Sequence, residues 1–92
     1  MWGDAQVARL PVMPPFLLHH QHGPAECAAA FAAWQGFDSP LRGQAAASTC
    51  LEGGHAVWWR VETPDRHAAL ALLPPYVAQR THAIAVRDVR IP

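Results

Sequence analysis

Histidine and cysteine are the side chains of this sequence whose types and spacing could do chemistry. Three of the six histidines lie in the stretch "FLLHHQHG", and Cys27 follows His22 by five residues. Neutral imidazole is the commonest metal ligand among side chains, and near neutral pH it also acts as a general acid or base. A thiolate adds affinity for soft or borderline ions. The stretch therefore raises two hypotheses, a metal site and a histidine-based catalytic site.

The elements that must position these side chains begin with a β-strand predicted over residues 16–22. Because side chains alternate along a strand, His20 and His22 share one face and His19 lies on the other. The "GP" dipeptide ends this strand. The alanine-rich residues 24–35 then predict a helix that starts with proline and carries one apolar stripe.

Residues 44–62 predict a β-hairpin, because the dipeptide "GG" separates two extended runs. A two-residue connection pairs Glu52 with His55 and Cys50 with Val57. On this register Cys50 and Val57 share a face, while Glu52 and His55 lie at the end of the hairpin.

A second helix is predicted within residues 63–79, with Thr63 as its N-cap and a break at the "PP" dipeptide. A last strand is predicted over residues 81–91. Its apolar alternation changes phase at Arg87 and Asp88, which predicts a β-bulge there.

The order of predicted elements is strand, helix, strand, strand, helix, strand. This order predicts an α+β fold of the ferredoxin-like βαββαβ type, with an antiparallel sheet of order 4-1-3-2 and two helices on one face. Residues 14–92 form a single domain on this interpretation. Residues 1–13 precede the first strand and are expected to be a mobile N-terminal extension.

The chain resembles the dimeric α/β-barrel superfamily in its size, its tryptophan-rich third strand and the stretch "ALALLPPYV". That superfamily includes monooxygenase-like, muconolactone-isomerase-like, YciI-like and small nickel-binding proteins. The resemblance implies a homodimer that buries Trp58 or Trp59 between two sheets. The stretch "FLLHHQHG" is similar to a paired-histidine feature of the small nickel-binding members, which implies a metal site at His19, His20 and His22.

The predicted topology brings histidines from several segments to one end of the sheet. The first strand ends where the third and fourth strands begin, so His20 and His22 should lie close to His55. These three are the predicted ligands of a divalent Zn, Ni or Cu ion, because that donor set suits borderline transition metals. Weaker candidates at the same end are Cys27, His82, Glu52 and Cys50.

Two other functions stay open at this point. The first is a small-molecule enzyme of the monooxygenase or isomerase type, with His20 or His55 as general acid or base. In it, Tyr76 or Arg60 would orient an anionic substrate. The second is a structural or ligand-sensing module, since ferredoxin-like domains host many functions. The residues alone do not decide whether this protein is an enzyme.

The amino-acid composition limits the classes of partner that are expected. The formal net charge is zero with neutral histidines and no basic block appears, so neither nucleic acid nor a membrane surface is expected as a partner. No apolar run approaches the roughly 20 residues of a transmembrane helix, and a signal peptide is not evident, so a cytoplasmic location is expected. The sequence lacks lysine and is rich in alanine, which is typical of a GC-rich bacterial gene.

Overall fold

The computed structural model describes residues 13–92, so residues 1–12 of the predicted N-terminal extension lie outside the described residues. Its four strands are β1 (Pro15–Gln21), β2 (Ala47–Ser48), β3 (Ala56–Glu62) and β4 (Thr81–Ala85). Its α-helices are α1 (Cys27–Ala32), α2 (Arg66–Leu70) and α3 (Pro75–Ala78). Two 3-10 turns, Pro24–Glu26 and Cys50–Glu52, complete the regular structure of the described residues.

The strands form one antiparallel sheet in the order β2-β3-β1-β4, which reads 4-1-3-2 from the β4 edge. The predicted α+β class and the four-stranded antiparallel sheet are confirmed. The helices are much shorter than the sequence predicts: α1 has six residues and α2 has five. Strand β2 has two residues. The sheet is therefore compatible with a ferredoxin-like fold, although the helical layer is slight.

The core lies on one face of the sheet, called here the helix face. Phe16 and Leu18 of β1 and Val61 of β3 pack there against Leu73 and Val77 of the helical layer. Strict alternation along β1 produces this arrangement, because every second side chain of the strand is buried. The burial of apolar surface on this face is the main stabilising contribution of the fold.

The opposite face of the sheet, called here the open face, is not covered by the helices. The strand register aligns Leu17, His19, Trp58, Arg60, His82 and Ile84 on it. Trp59 instead packs against the core on the helix face. The two tryptophans of β3 therefore lie on opposite faces, Trp58 on the open face and Trp59 on the helix face.

The hairpin between β2 and β3 is confirmed, but its predicted register is wrong by two residues. The sequence pairs Cys50 with Val57, whereas the structure pairs Ser48 with Val57. The reason is that residues Cys50–Glu52 coil into a 3-10 turn instead of extending the strand. The connection is consequently longer than the two glycines.

Two other predicted boundaries change, and one is confirmed. The N-cap of α2 is Asp65 and not Thr63, because the Asp65 carboxylate accepts a 2.8 Å hydrogen bond from the amide of Ala68. The predicted break at the proline pair is confirmed, since α3 begins at Pro75. The last strand ends at Ala85, so the predicted bulge further along is wrong.

Candidate metal centre

Three donor side chains converge at the end of β1 and the start of β3. One ligand atom each from His22, Cys50 and His55 lies within 4.8 Å of the others. His22 follows β1 directly, His55 precedes β3, and the His22 amide donates a 3.0 Å hydrogen bond to the His55 carbonyl. The antiparallel pairing of the two strands thus extends one step to bring these two imidazoles together.

The turn after β2 brings Cys50 to the same place. The Thr49 carbonyl accepts hydrogen bonds from the amides of Glu52 and Gly54, at 2.9 and 2.8 Å. Gly53 closes the turn with φ of 87°, a left-handed conformation that glycine adopts without steric cost. The chain therefore curls back on itself, which places the Cys50 thiol beside the His55 ring.

Two nitrogens of this cluster lack partners. His22 Nε2 and His55 Nδ1 are buried and have no hydrogen-bond partner within residues 13–92. A buried polar atom without a partner costs about 1–3 kcal/mol. A metal ion bound between the two rings would use both lone pairs, so the donor set fits a metal ion.

A third histidine orients His22 without joining the cluster. His20 is only 1% exposed, and its Nε2 lies 2.9 Å from His22 Nδ1. On its other side, His20 Nδ1 lies 3.2 Å from Thr81 Oγ1 and 3.3 Å from the Val77 carbonyl. The Thr81 hydroxyl itself donates to that carbonyl at 2.6 Å.

These contacts determine which nitrogens carry protons. Because the Val77 carbonyl can only accept and the Thr81 hydrogen is already used, His20 Nδ1 must be the donor. Burial lowers the pKa of His20, which favours its neutral form. Neutral His20 then accepts at Nε2 from His22 Nδ1–H. The lone pair of His22 is then left on Nε2, the nitrogen that has no hydrogen-bond partner within residues 13–92.

A carboxylate network supports the chain just after His22. The Glu26 carboxylate accepts a 2.8 Å hydrogen bond from the Gly23 amide and forms a 2.9 Å ion pair with Arg80. The Arg80 guanidinium also lies over the Tyr76 ring, 3.7 Å from its centroid. The Gly23 amide, followed by Arg80, lowers the pKa of Glu26. This network ties the start of the helical segment after β1 to the end of α3.

The structure separates the other predicted site residues from the cluster. His19 lies on the open face, stacked on Trp58 with ring centroids 5.1 Å apart. His82 pairs with His19 across the strands and is exposed. Glu52 is exposed, and Cys27 is partly buried in α1. Neither belongs to the donor group found within residues 13–92.

The sequence therefore ranked two residues differently from the geometry. His20 is a predicted ligand that lies one hydrogen bond away from the cluster, while Cys50 is a weaker candidate that lies within it. The close spacing of Cys50 and His55 on either side of two glycines is the sequence signal that could have placed Cys50 among the main predicted ligands. A tight turn was predicted there, and its coiled form brings the two residues together.

A cavity of about 370 Å³ adjoins this cluster on the helix face. His20 and His22 line one part of it, and Trp34 and Trp59 line another. Small-molecule sites commonly measure about 300–1,000 Å³. The candidate metal centre therefore borders a space large enough for an organic molecule.

No protein-family model, curated protein or solved structure matches this chain. Within residues 13–92, none of the helices is long and apolar enough to cross a bilayer.

Proposed function

We propose that this protein binds one divalent transition-metal ion, Zn, Ni or Cu, through His22, Cys50 and His55. The observation that carries the proposal is the convergence of ligand atoms from His22, Cys50 and His55. Both histidines also have a buried ring nitrogen that lacks a hydrogen-bond partner within residues 13–92. The role would be metal sequestration, metal delivery or a metal-assisted reaction.

The chemistry of the donors favours these ions. Two imidazoles and one thiolate are borderline ligands, which suit Zn, Ni or Cu better than Mg or Ca. Three protein ligands also leave a coordination position for water or another molecule, as in catalytic zinc sites. His20 acts as a positioning residue, because hydrogen-bonded partners of ligating histidines fix the ring and its tautomer.

The proposal extends to the cellular setting and the assembly. In a reducing bacterial cytosol Cys50 would stay a thiol, as a metal ligand requires. The open face would pair with that of a second copy in a homodimer of the ferredoxin-like, dimeric α/β-barrel type. Its support is a group of half-buried or exposed apolar side chains on that face, Leu17, Trp58 and Ile84.

The first prediction is stoichiometric metal binding by the untagged protein. After treatment with a chelator and reloading with Zn, Ni or Co, elemental analysis should find about one ion per chain. The Co form should show a thiolate charge-transfer band that Cys50→Ser removes. His22→Ala and His55→Ala should each lower the metal affinity by tenfold or more, because each deletes one ligand.

Matched variants of the same type serve as controls. His82→Ala removes an exposed imidazole and Cys27→Ser removes a thiol outside the cluster. Both should bind the metal as the unmodified protein does. Equal losses in His82→Ala and His55→Ala, or a cobalt spectrum unchanged by Cys50→Ser, would contradict the proposal.

The alternative of a small-molecule enzyme keeps one supporting observation, the cavity beside His22. The predicted substrate-orienting residues have other partners. The Tyr76 hydroxyl donates to Glu26 at 3.4 Å, and Arg60 pairs with Asp88 at 3.1 Å. Neither lines the cavity. Of the two predicted acid–base residues, His20 lines the cavity with both ring nitrogens engaged in hydrogen bonds, and His55 does not line it.

A further inference from the structure

The cavity beside the metal centre has an aromatic wall and an aromatic mouth. The indole rings of Trp34 and Trp59 contact each other, with centroids 5.8 Å apart, and both line it. Phe31 also lines it and is 61% exposed. A ligand that covers large apolar side chains at the rim of a cavity removes their surface from water, which favours binding. Planar aromatic molecules pack best against such walls.

One charged side chain gives the cavity its electrostatic character. Among the described residues that line it, Arg42 is the one charged group, and none is an aspartate or a glutamate. Arg42 makes no salt bridge within residues 13–92; its Nη1 donates only to the Phe37 carbonyl, at 3.3 Å. The remaining guanidinium N–H groups can therefore donate to an anion, and arginine matches the two oxygens of a carboxylate.

We propose that this cavity binds a small aromatic carboxylate, with its ring against Trp34 and Trp59 and its carboxylate at Arg42. A cationic molecule would find no opposite charge there. A neutral aromatic molecule would gain the apolar contacts alone. The anionic aromatic molecule is the class that uses both the walls and the guanidinium.

This inference goes beyond metal binding and does not require it. The cavity and the metal cluster share His22, whereas Cys50 and His55 do not line the cavity. A molecule bound in the cavity would therefore share one lining residue with the cluster without depending on the ion. The two proposals can fail separately, because His55→Ala removes a metal ligand and leaves the cavity wall unchanged.

The experiment compares three probes on the full-length, metal-free protein. The probes are naphthylacetate, its neutral amide naphthylacetamide, and the cation naphthylmethylammonium, titrated by calorimetry and by NMR of the tryptophan indole N–H signals. Naphthylacetate should bind saturably and shift the Trp59 signal. It should bind about tenfold more tightly than the amide, as expected for one hydrogen-bonded charge. The cation should bind more weakly than the amide.

Variants locate the binding. Arg42→Gln should weaken naphthylacetate about tenfold and leave naphthylacetamide unchanged. Arg90→Gln, which removes an exposed arginine outside the cavity, should change neither. Ala46→Trp, which fills the cavity from an exposed lining position, should abolish both. His55→Ala should keep naphthylacetate binding while it loses the metal.

Three outcomes would overturn the inference. The first is an absence of saturable binding by naphthylacetate. The second is equal affinity for naphthylacetate and its amide. The third is an equal effect of Arg42→Gln and Arg90→Gln. None of them bears on the metal centre, whose test uses elemental analysis and the cobalt spectrum.

Discussion

At the scale of single residues, the hydrogen bond between His20 and His22 matters most for the candidate metal centre, because it sets the tautomer of His22. Histidine has two ring nitrogens, and only the one without a proton can hold a metal ion. The Val77 carbonyl accepts from Thr81 and lies within reach of His20 Nδ1, so the proton of His20 is directed away from His22. A backbone carbonyl on α3 thereby determines the tautomer of a proposed metal ligand.

The second prediction concerns His20. His20→Leu deletes the acceptor for His22 Nδ1–H, so His22 should shift toward the tautomer with its proton on Nε2. Metal affinity should fall about 10- to 100-fold, as for other partners of ligating histidines. His20→Gln keeps an oxygen acceptor and should restore part of the affinity. Calorimetry measures the affinity, and nitrogen NMR of the metal-free protein reports the His22 tautomer. Identical tautomers and affinities in both variants would show that His20 contributes packing alone.

At the scale of elements, the site depends on two short connections and not on long helices. The segment after β1 is anchored by Glu26, and the turn after β2 is closed by Thr49 and two glycines. Short helices gain little stability from their own hydrogen bonds, because helix nucleation is costly. Tertiary contacts of this kind therefore position His22 and Cys50.

The third prediction concerns the pH dependence of the Glu26 anchor. The pKa of Glu26 is lowered in the folded protein by the Gly23 amide and by Arg80. A lowered carboxyl pKa contributes stability above its unfolded value, and that stability is lost as the pH falls through the folded pKa. Glu26→Gln should therefore lower the melting temperature near neutral pH. The difference from wild type should shrink as the pH falls below about 4.5. Thermal melts across this range measure the effect, and a pH-independent difference would contradict it.

The fourth prediction concerns Gly54 in the turn after β2. A β-carbon at this position would lie 2.7 Å from Thr49 Cβ, closer than such atoms approach. Gly54→Ala should displace Thr49, lower the free energy of unfolding by about 1–3 kcal/mol and weaken metal binding by moving Cys50. Urea unfolding and metal titration measure the two effects.

Gly23→Ala is the matched control for that variant. An added β-carbon there would make an ordinary 3.4 Å contact with Glu26 Oε1. Its unfolding free energy should change by no more than about 0.5 kcal/mol. Similar losses in both variants would indicate a general sensitivity to glycine replacement and not a clash with Thr49.

At the scale of the whole molecule, the helices cover one face of the sheet, and no helix of residues 13–92 covers the other. The helix face holds the core, the cavity and His20, while the open face displays Leu17, Trp58 and Ile84. A small domain buries a modest fraction of its surface, so a second subunit is a common way to complete burial. These apolar side chains on the open face support the proposed homodimer.

The fifth prediction is that the full chain is a dimer in solution that Leu17→Lys dissociates. In the dimer, a lysine at position 17 would bury its charge between two sheets. This burial costs free energy, whereas in the monomer the charge stays in water. Ile91→Lys, at an exposed position after β4, should leave the dimer intact. Light scattering and sedimentation measure the mass. A monomeric wild-type protein, or equal effects of both variants, would refute pairing through the open face.

Much of the fold could be predicted because it depends on local pattern. Alternation along β1 and the two extended runs around the glycines specify strands and their antiparallel pairing. The predicted helices were too long. Alanine-rich sequence favours helix formation, but the number of helical turns that form depends on packing. The register of the hairpin was wrong for a related reason. Whether Cys50 extends a strand or enters a 3-10 turn depends on the hydrogen bonds of Thr49.

The sequence by itself determined the α+β class, the antiparallel sheet and the sharing of one strand face by His20 and His22. These follow from chain order and from the two-residue period of a strand, which are properties of the backbone. Only the tertiary structure decided that the helices cover this face, that Cys50 joins His22 and His55, and that His20 forms a hydrogen bond with His22. Those outcomes depend on distances between side chains from separate segments, which no local pattern specifies.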